Sequence, residues 1–273
     1  MCKKAKIYAK ETTISVMKPY EGFQLSIPFA DYVDIYDGKS EEILLFDDAI
    51  GVKRQKEKRD KGYKKTLKTV QTDVIEAQKP SGGFDYIIGG YGVKGWDIET
   101  ALLCWFSYHY QQKRLPIVAV TDGAKTIRLR LWSVFGGQVI IILDWYHLHK
   151  KMKELLSMIA WNKQQKECIL SLVMPLLWEG KVDECIECLK KIIPRNQIKF
   201  DELIEYLTKH KKEIINYQKR KEVGKTIGSG RAEKGVDLVV AQRQKNKPIA
   251  WSEDGSHALS ILKADYLNRK QAA

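Results

Sequence analysis

Cysteine is scarce in this sequence and long apolar runs are missing. Its five cysteines (Cys2, Cys104, Cys168, Cys185 and Cys188) are an odd number spread over 273 residues, which excludes a disulfide framework as the basis of the fold. Cys185 and Cys188 make one C-x-x-C without a second pair or a nearby histidine pair, so they do not compose a zinc site. No stretch reaches the 18 or so apolar residues of a membrane span, and the start, MCKKAKIYAK, lacks the apolar segment of a secretory signal; a cytoplasmic protein is expected. Gly89, Gly90 and Gly92 lead into no phosphate-binding loop of the P-loop or dinucleotide type. Internal repeats, low-complexity tracts, glycine-serine linkers and coiled-coil heptads are also missing.

Positive charge is plentiful. Lysine and arginine number 47 against 34 acidic residues, a formal net charge of +13, with 44% hydrophobic residues. The hydrophobic fraction is enough for a sizeable core, and the charge favours a polyanionic partner over a neutral metabolite.

The chain divides by pattern. Residues 1–42 show no sustained periodicity and read as an irregular lead-in with one or two short strands. From 43 to 160 the pattern is α/β. ILLF at 43–46 reads as a buried strand ending on Asp47 and Asp48, TVQTDVIEAQ at 69–78 alternates as a strand, PSGG at 80–83 is a turn, and FDYIIGGYG at 84–92 is a third strand. A helix follows over 98–112. PIVAVTDG at 116–123 and QVIIILD at 138–144 are continuous apolar runs, each stopped by an aspartate and followed by a helical pattern, which predicts a parallel pair covered on both faces. Residues 161–224 are helical almost throughout, and 225–273 carry a final helix from about Arg231 and a basic tail.

Sites in such sheets lie beyond the carboxyl ends of the strands, which is where Asp122 and Asp144 fall. Either aspartate also suits the cap of its following helix. Glu233 stands three and seven residues before Val236 and Val240, which puts a carboxylate on the core-facing stripe of the late helix; a preference for the helix N-terminus is the plainer account. If Asp48, Asp122 and Glu233 converge, their hard oxygens suit Mg²⁺ or Mn²⁺, two ions of which would activate the attacking oxygen and stabilise the leaving oxygen of a phosphodiester.

FDDAIGVK, VTDGAKTIR, ILDWYH and IGSGRAEKGVD, in that order, resemble the DDE transposases of bacterial insertion sequences, in particular the Kra group allied to the Mutator superfamily. The resemblance runs from about residue 43 to 268. It implies an RNase H-like mixed sheet flanked by helices, with an all-helical insertion before the last catalytic helix. By position it puts the first catalytic acid on Asp48, with Asp47 a close rival, the second on Asp122 and the third on Glu233. Asp144-Trp145-Tyr146-His147 matches the C/D-x-x-H motif of Mutator-type enzymes, which gives His147 a supporting role near the reacting phosphate and Asp144 an orienting one. The activity implied is metal-dependent cleavage at transposon ends and strand transfer to target DNA, by a homo-oligomer in the bacterial cytoplasm, on the nucleoid when DNA-bound.

Two basic clusters flank these acids. One is the run from Lys53 to Lys68, with nine basic residues including Lys53, Arg54 and Lys56; the other comprises Arg231, Lys234, Arg243, Lys245 and Lys247. Both suit contacts to DNA phosphates, although a charge run is also the ordinary composition of a solvated loop. The 42 residues ahead of the first strand carry no helix-turn-helix for reading transposon ends. That departure keeps two other readings open: a truncated, catalytically silent DNA-binding remnant or regulator, and an RNase H-like nuclease.

Overall fold

The computed structural model describes residues 3–22, 25, 33–55, 68–110, 115–245 and 249–272. In chain order its main elements are α1 (Lys3–Met17), β1 (Ile43–Lys53), β2 (Thr69–Gln78), β3 (Phe84–Ile87), α2 (Ile98–His109), β4 (Ile117–Thr121), α3 (Lys125–Phe135), β5 (Val139–Leu143) and α4 (Trp145–Ile159). Four helices follow, α5 (Lys163–Trp178), α6 (Val182–Lys190), α7 (Gln197–Lys209) and α8 (Tyr217–Glu222). The chain continues through α9 (Gly230–Val236), a π-helical turn (Asp237–Ala241), α10 (Gln242–Gln244) and α11 (Glu253–Ala272).

The five strands form one mixed sheet in the order β3-β2-β1-β4-β5. β1, β2 and β3 pair antiparallel, while β4 lies parallel to β1 and β5 parallel to β4. This is the α/β architecture expected, a mixed sheet flanked by helices and consistent with an RNase H-like fold. β4 and β5 are nearly all buried because both faces are covered, which explains their unbroken apolar sequences. One face, carrying Leu45, Ile75, Ala119 and Ile141, packs on α2 and α3 through Leu102, Phe106, Ile127 and Leu131. On the other, Phe46, Val120 and Ile142 pack on α4, and the same core continues without a break into α5, α6 and α7 through Leu170, Val173, Cys185, Leu203 and Leu207. The helical segment therefore shares its apolar core with the sheet.

Several expectations are corrected. Residues 3–17 are a helix rather than irregular chain; α1 lies against α11, with Lys6 Nζ 2.7 Å from Asp254 and Thr13 buried. β1 does not end at its aspartates but continues to Lys53, because β2 pairs with it along its whole outer length. β3 stops at Ile87, before the glycines. The last part of the chain is two helical segments, with α11 a separate helix. No helix among the described residues is long and apolar enough to cross a membrane.

Candidate active site

The parallel register fixes where the first two acids stand. Phe46 lies opposite Val120, so counting two residues on brings Asp48 level with Asp122, just past the end of β4. Alternation along β1 keeps Asp48 on the face of Phe46 and sends Asp47 to the other. There Asp47 is buried, with both carboxylate oxygens 2.8 Å from Arg130 Nη1. Burial pushes its carboxyl up to about 7, against the pull of Arg130. Of the two neighbouring acids, only Asp48 opens toward Asp122.

Each of these two carboxylates has one oxygen held by its own backbone. Ala49 N–H donates to Asp48 Oδ1 at 2.7 Å and Ala124 N–H to Asp122 Oδ1 at 2.8 Å. The Asp122 turn depends on Gly123, whose φ of 82° lies in the left-handed region; a Cβ there would also meet His210 Cε1 at 2.7 Å and Leu143 Cδ1 at 2.8 Å. Burial, and after it the charges of Asp122 and Glu233, raises the Asp48 carboxyl, opposed by the Ala49 N–H and by His147. Asp122, Glu233 and His147 thus lie within electrostatic reach of Asp48.

Asp144 has a different place. It is buried and caps α4, accepting from Tyr146 N–H at 2.6 Å and His147 N–H at 3.3 Å. Its other oxygen accepts from Ser229 N–H at 2.6 Å and from the Ser229 hydroxyl, and lies 3.4 Å from His147 Nδ1. Burial alone would raise this carboxyl, but the bonds from His147, Ser229 and Tyr146 bring it down to about 2. The His147 imidazole shifts upward, chiefly through Asp144 and, after the opposing effect of burial, through the charges of Asp144, Asp122 and Glu233. Both oxygens of Asp144 are thus held by Tyr146, His147 and Ser229, behind the acids of β1 and β4. Because Trp145 N–H also donates to Ile227 O at 3.2 Å, the start of α4 and the loop before α9 are held together.

Glu233 is corrected in one respect. It is exposed, and the buried face of α9 is carried by Ala232, Gly235 and Val236. On a helix Glu233 stands roughly 100° from Ala232, at the edge of the buried stripe rather than on it. Its charge still acts on both Asp48 and His147.

The basic residues are distributed unevenly. Lys56 and Lys247 lie outside the described residues, as does most of the run from Lys53 to Lys68. Lys53, Lys234, Arg243 and Lys245 are exposed. Arg54 is half-buried and sits 3.1 Å from Glu253. Arg231 stacks its guanidinium 4.0 Å from the centre of the Phe84 ring and reaches Glu76 at 3.3 Å. The described start of the first cluster lies beside residue 251: Arg54 bridges to Trp251, and Trp251 N–H donates to Lys53 O at 2.8 Å. Trp251 is spent on this junction, its indole donating to Gln244 O at 3.1 Å.

Sequence reasoning passed over several buried ionisable groups. Arg130 holds Asp47 and also Asp73, at 2.9 Å. Glu76 is buried under α9, where Gly235 leaves room for it, and burial pushes its carboxyl up to about 7; its position two residues beyond Val74 on an alternating strand was the available signal. His210, at the end of α7, is 2.6 Å from Glu213, and Arg128 of α3 reaches Glu213 at 2.6 Å and the His210 ring at 2.9 Å. Nothing in the sequence links residues 128 and 210.

The donor set suits a hard divalent cation. Asp48 and Asp122 each keep a carboxylate oxygen that no backbone N–H holds, and the Asp48 carboxyl, raised first by burial, is raised further by the charges of Asp122 and Glu233, which a cation would offset. Among the described residues no three acidic or imidazole groups are already drawn together at metal-binding distance, in keeping with the exposed Glu233.

No protein-family model matches the chain, and no curated protein does either. Among solved structures, it is similar to a Drosophila P element transposase strand transfer complex, with 12% identity, a TM-score of 0.27, and coverage of 94% of this chain and 73% of that one. A similarity that loose carries no weight for function.

Proposed function

We propose that this chain is a transposase of the DDE type, catalysing metal-dependent DNA cleavage and strand transfer, with Asp48, Asp122 and Glu233 as the metal-binding acids. The observation that carries the reading is that Asp48 on β1 stands level with Asp122 just past β4, with Glu233 of α9 and His147 of α4 within electrostatic reach of Asp48, on a sheet of β3-β2-β1-β4-β5 order. Two Mg²⁺ or Mn²⁺ ions held there would supply charge stabilisation at the attacking and leaving oxygens of a phosphodiester. The protein's own part is positional. β1 and β4 set two acids level, Asp144 stands beside the His147 ring and ties the entry to α9, and α9, packed on β1 and β2, carries Glu233. The exposed bases near Lys53 and Lys234 suit phosphate contacts.

The exposure of Glu233 favours a second reading, a DNA-binding remnant that no longer cuts. Incubation with Mn²⁺ and labelled DNA carrying the ends of its own element separates the readings. Joined products that vanish in Asp122→Asn support the transposase. Binding without cleavage overturns it in favour of the remnant, and cutting indifferent to sequence points to a nuclease.

A further inference from the structure

A second feature adjoins the proposed site. An open cleft of about 420 Å³ runs from Asp122 and His147 to the helical segment. Its walls are the start of α3, the outer face of α4 and the end of α7, and four lysines line it: Lys125, Lys150, Lys151 and Lys209. Lys151 is paired with Glu202 at 3.1 Å, whereas Lys125, Lys150 and Lys209 make no ion pair with a described residue. The carboxylates in the wall are Asp122 itself and Glu154. Two rings, Tyr206 and His210, complete it, their centroids 4.7 Å apart. His210 is buried and braced by Glu213 and Arg128, so this wall is rigid and joins the helical segment to the core at the Asp122 turn.

Unpaired lysines gathered in one concave surface select an anion, and lysines with flat rings suit the backbone and bases of an unpaired strand. The cleft holds about 420 Å³ and is open to solvent. It leads directly to Asp122. We propose that this cleft holds a single strand of DNA next to the reacting phosphodiester, with Lys125, Lys150 and Lys209 on its phosphates; the assignment rests on the function proposed above. The helical segment then acts as one jaw of the substrate site, and not only as packing for α4.

The test is binding of a fluorescein-labelled single-stranded oligodeoxynucleotide to the full chain in EDTA, read by anisotropy over a range of salt. The variant is Lys125→Ala/Lys150→Ala/Lys209→Ala, and the charge-matched control is Lys163→Ala/Lys190→Ala/Lys191→Ala, on exposed positions of α5 and the end of α6. Circular dichroism checks that both fold. The cleft variant is expected to bind about tenfold or more weakly, with the log-log salt slope reduced by about 2, as for three lost contacts to a single strand; the control is expected to change less than about threefold. Equal losses in both variants, no loss in either, or no binding by the unaltered chain would overturn the cleft. Loss confined to a blunt duplex probe would overturn the single-strand assignment. The two proposals fail separately: a chain that does not cut DNA with Mn²⁺ but loses binding in the cleft variant keeps the cleft and discards the transposase, and the converse result does the reverse.

Discussion

Asp144 accepts hydrogen bonds from both the backbone N–H and the hydroxyl of Ser229, 85 residues away, and so fastens the first turn of α4 to the loop that opens α9. This contact sets the entry angle of the helix carrying Glu233. The same carboxylate caps α4 and stands beside His147, so a single buried acid coordinates two helices without facing the solvent.

Replacing Asp144 by alanine should therefore destabilise the protein by about 2–4 kcal/mol, from the lost helix cap together with buried bonds to a charged group. Urea denaturation measures it. Ser229→Ala should cost less, about 1–2 kcal/mol, since Asp144 keeps its other donors. A loss below about 0.5 kcal/mol in Asp144→Ala would mean that the loop is held elsewhere.

Asp144 also predicts an acid limb. Its folded pKa is depressed to about 2, so its contribution is complete above the unfolded value near 3.9 and is lost as pH falls through about 4 toward 2. Up to about 2 kcal/mol should disappear in that window. The difference in urea midpoint between the unaltered chain and Asp144→Asn should shrink correspondingly between pH 5 and pH 2. His147 acts in the opposite sense: its raised pKa gives stability present below about 6.5 and lost as pH rises through the folded value. Its ring resonances, followed by NMR, should titrate above that of a free histidine, and normally in Asp144→Asn.

The adjacent acids of β1 should respond oppositely. Arg130→Met strands Asp47 in the core and should cost about 3–5 kcal/mol, much of it recovered when Asp47→Leu is added. Asp48→Asn relieves repulsion and should leave stability unchanged or raise it by about 1 kcal/mol, while abolishing the proposed strand transfer. Similar losses at both positions would show that Asp48 is a structural residue like its neighbour.

Divalent ions should stabilise the chain if its acids hold them. Mg²⁺ or Mn²⁺ at about 100 times its dissociation constant is worth about 2.7 kcal/mol and should raise the melting temperature by several degrees. Asp48→Asn and Asp122→Asn should each suppress the increase. An increase that survives both substitutions would place the ion elsewhere.

The strands were legible because their signals are local. β2 matches its alternating run residue for residue, and β4 and β5 their apolar runs, because two-sided burial writes itself into consecutive positions. α1 was not legible: KKAKIYAKETTISVM has no apolar stripe, and its helix is settled by its position against α11. Glu233 was placed one face too far inward because Val236 and Val240 sit near the margin of a wide buried stripe, and the π-helical turn after Val236 shifts the periodicity.

By itself the sequence determined the order of the five strands and the helices between them, the excess of positive charge, and the acids that follow β4 and β5, since each of these is written in neighbouring residues. The tertiary structure buried Asp47 against Arg130 and left Asp48 on the face of Phe46, by the pleat of β1. It also turned Asp144 inward as a fastening for α9, brought Lys53 beside Trp251, and closed a lysine-lined cleft with α7. Those outcomes depend on groups far apart in the chain, and only packing brings them within reach of one another.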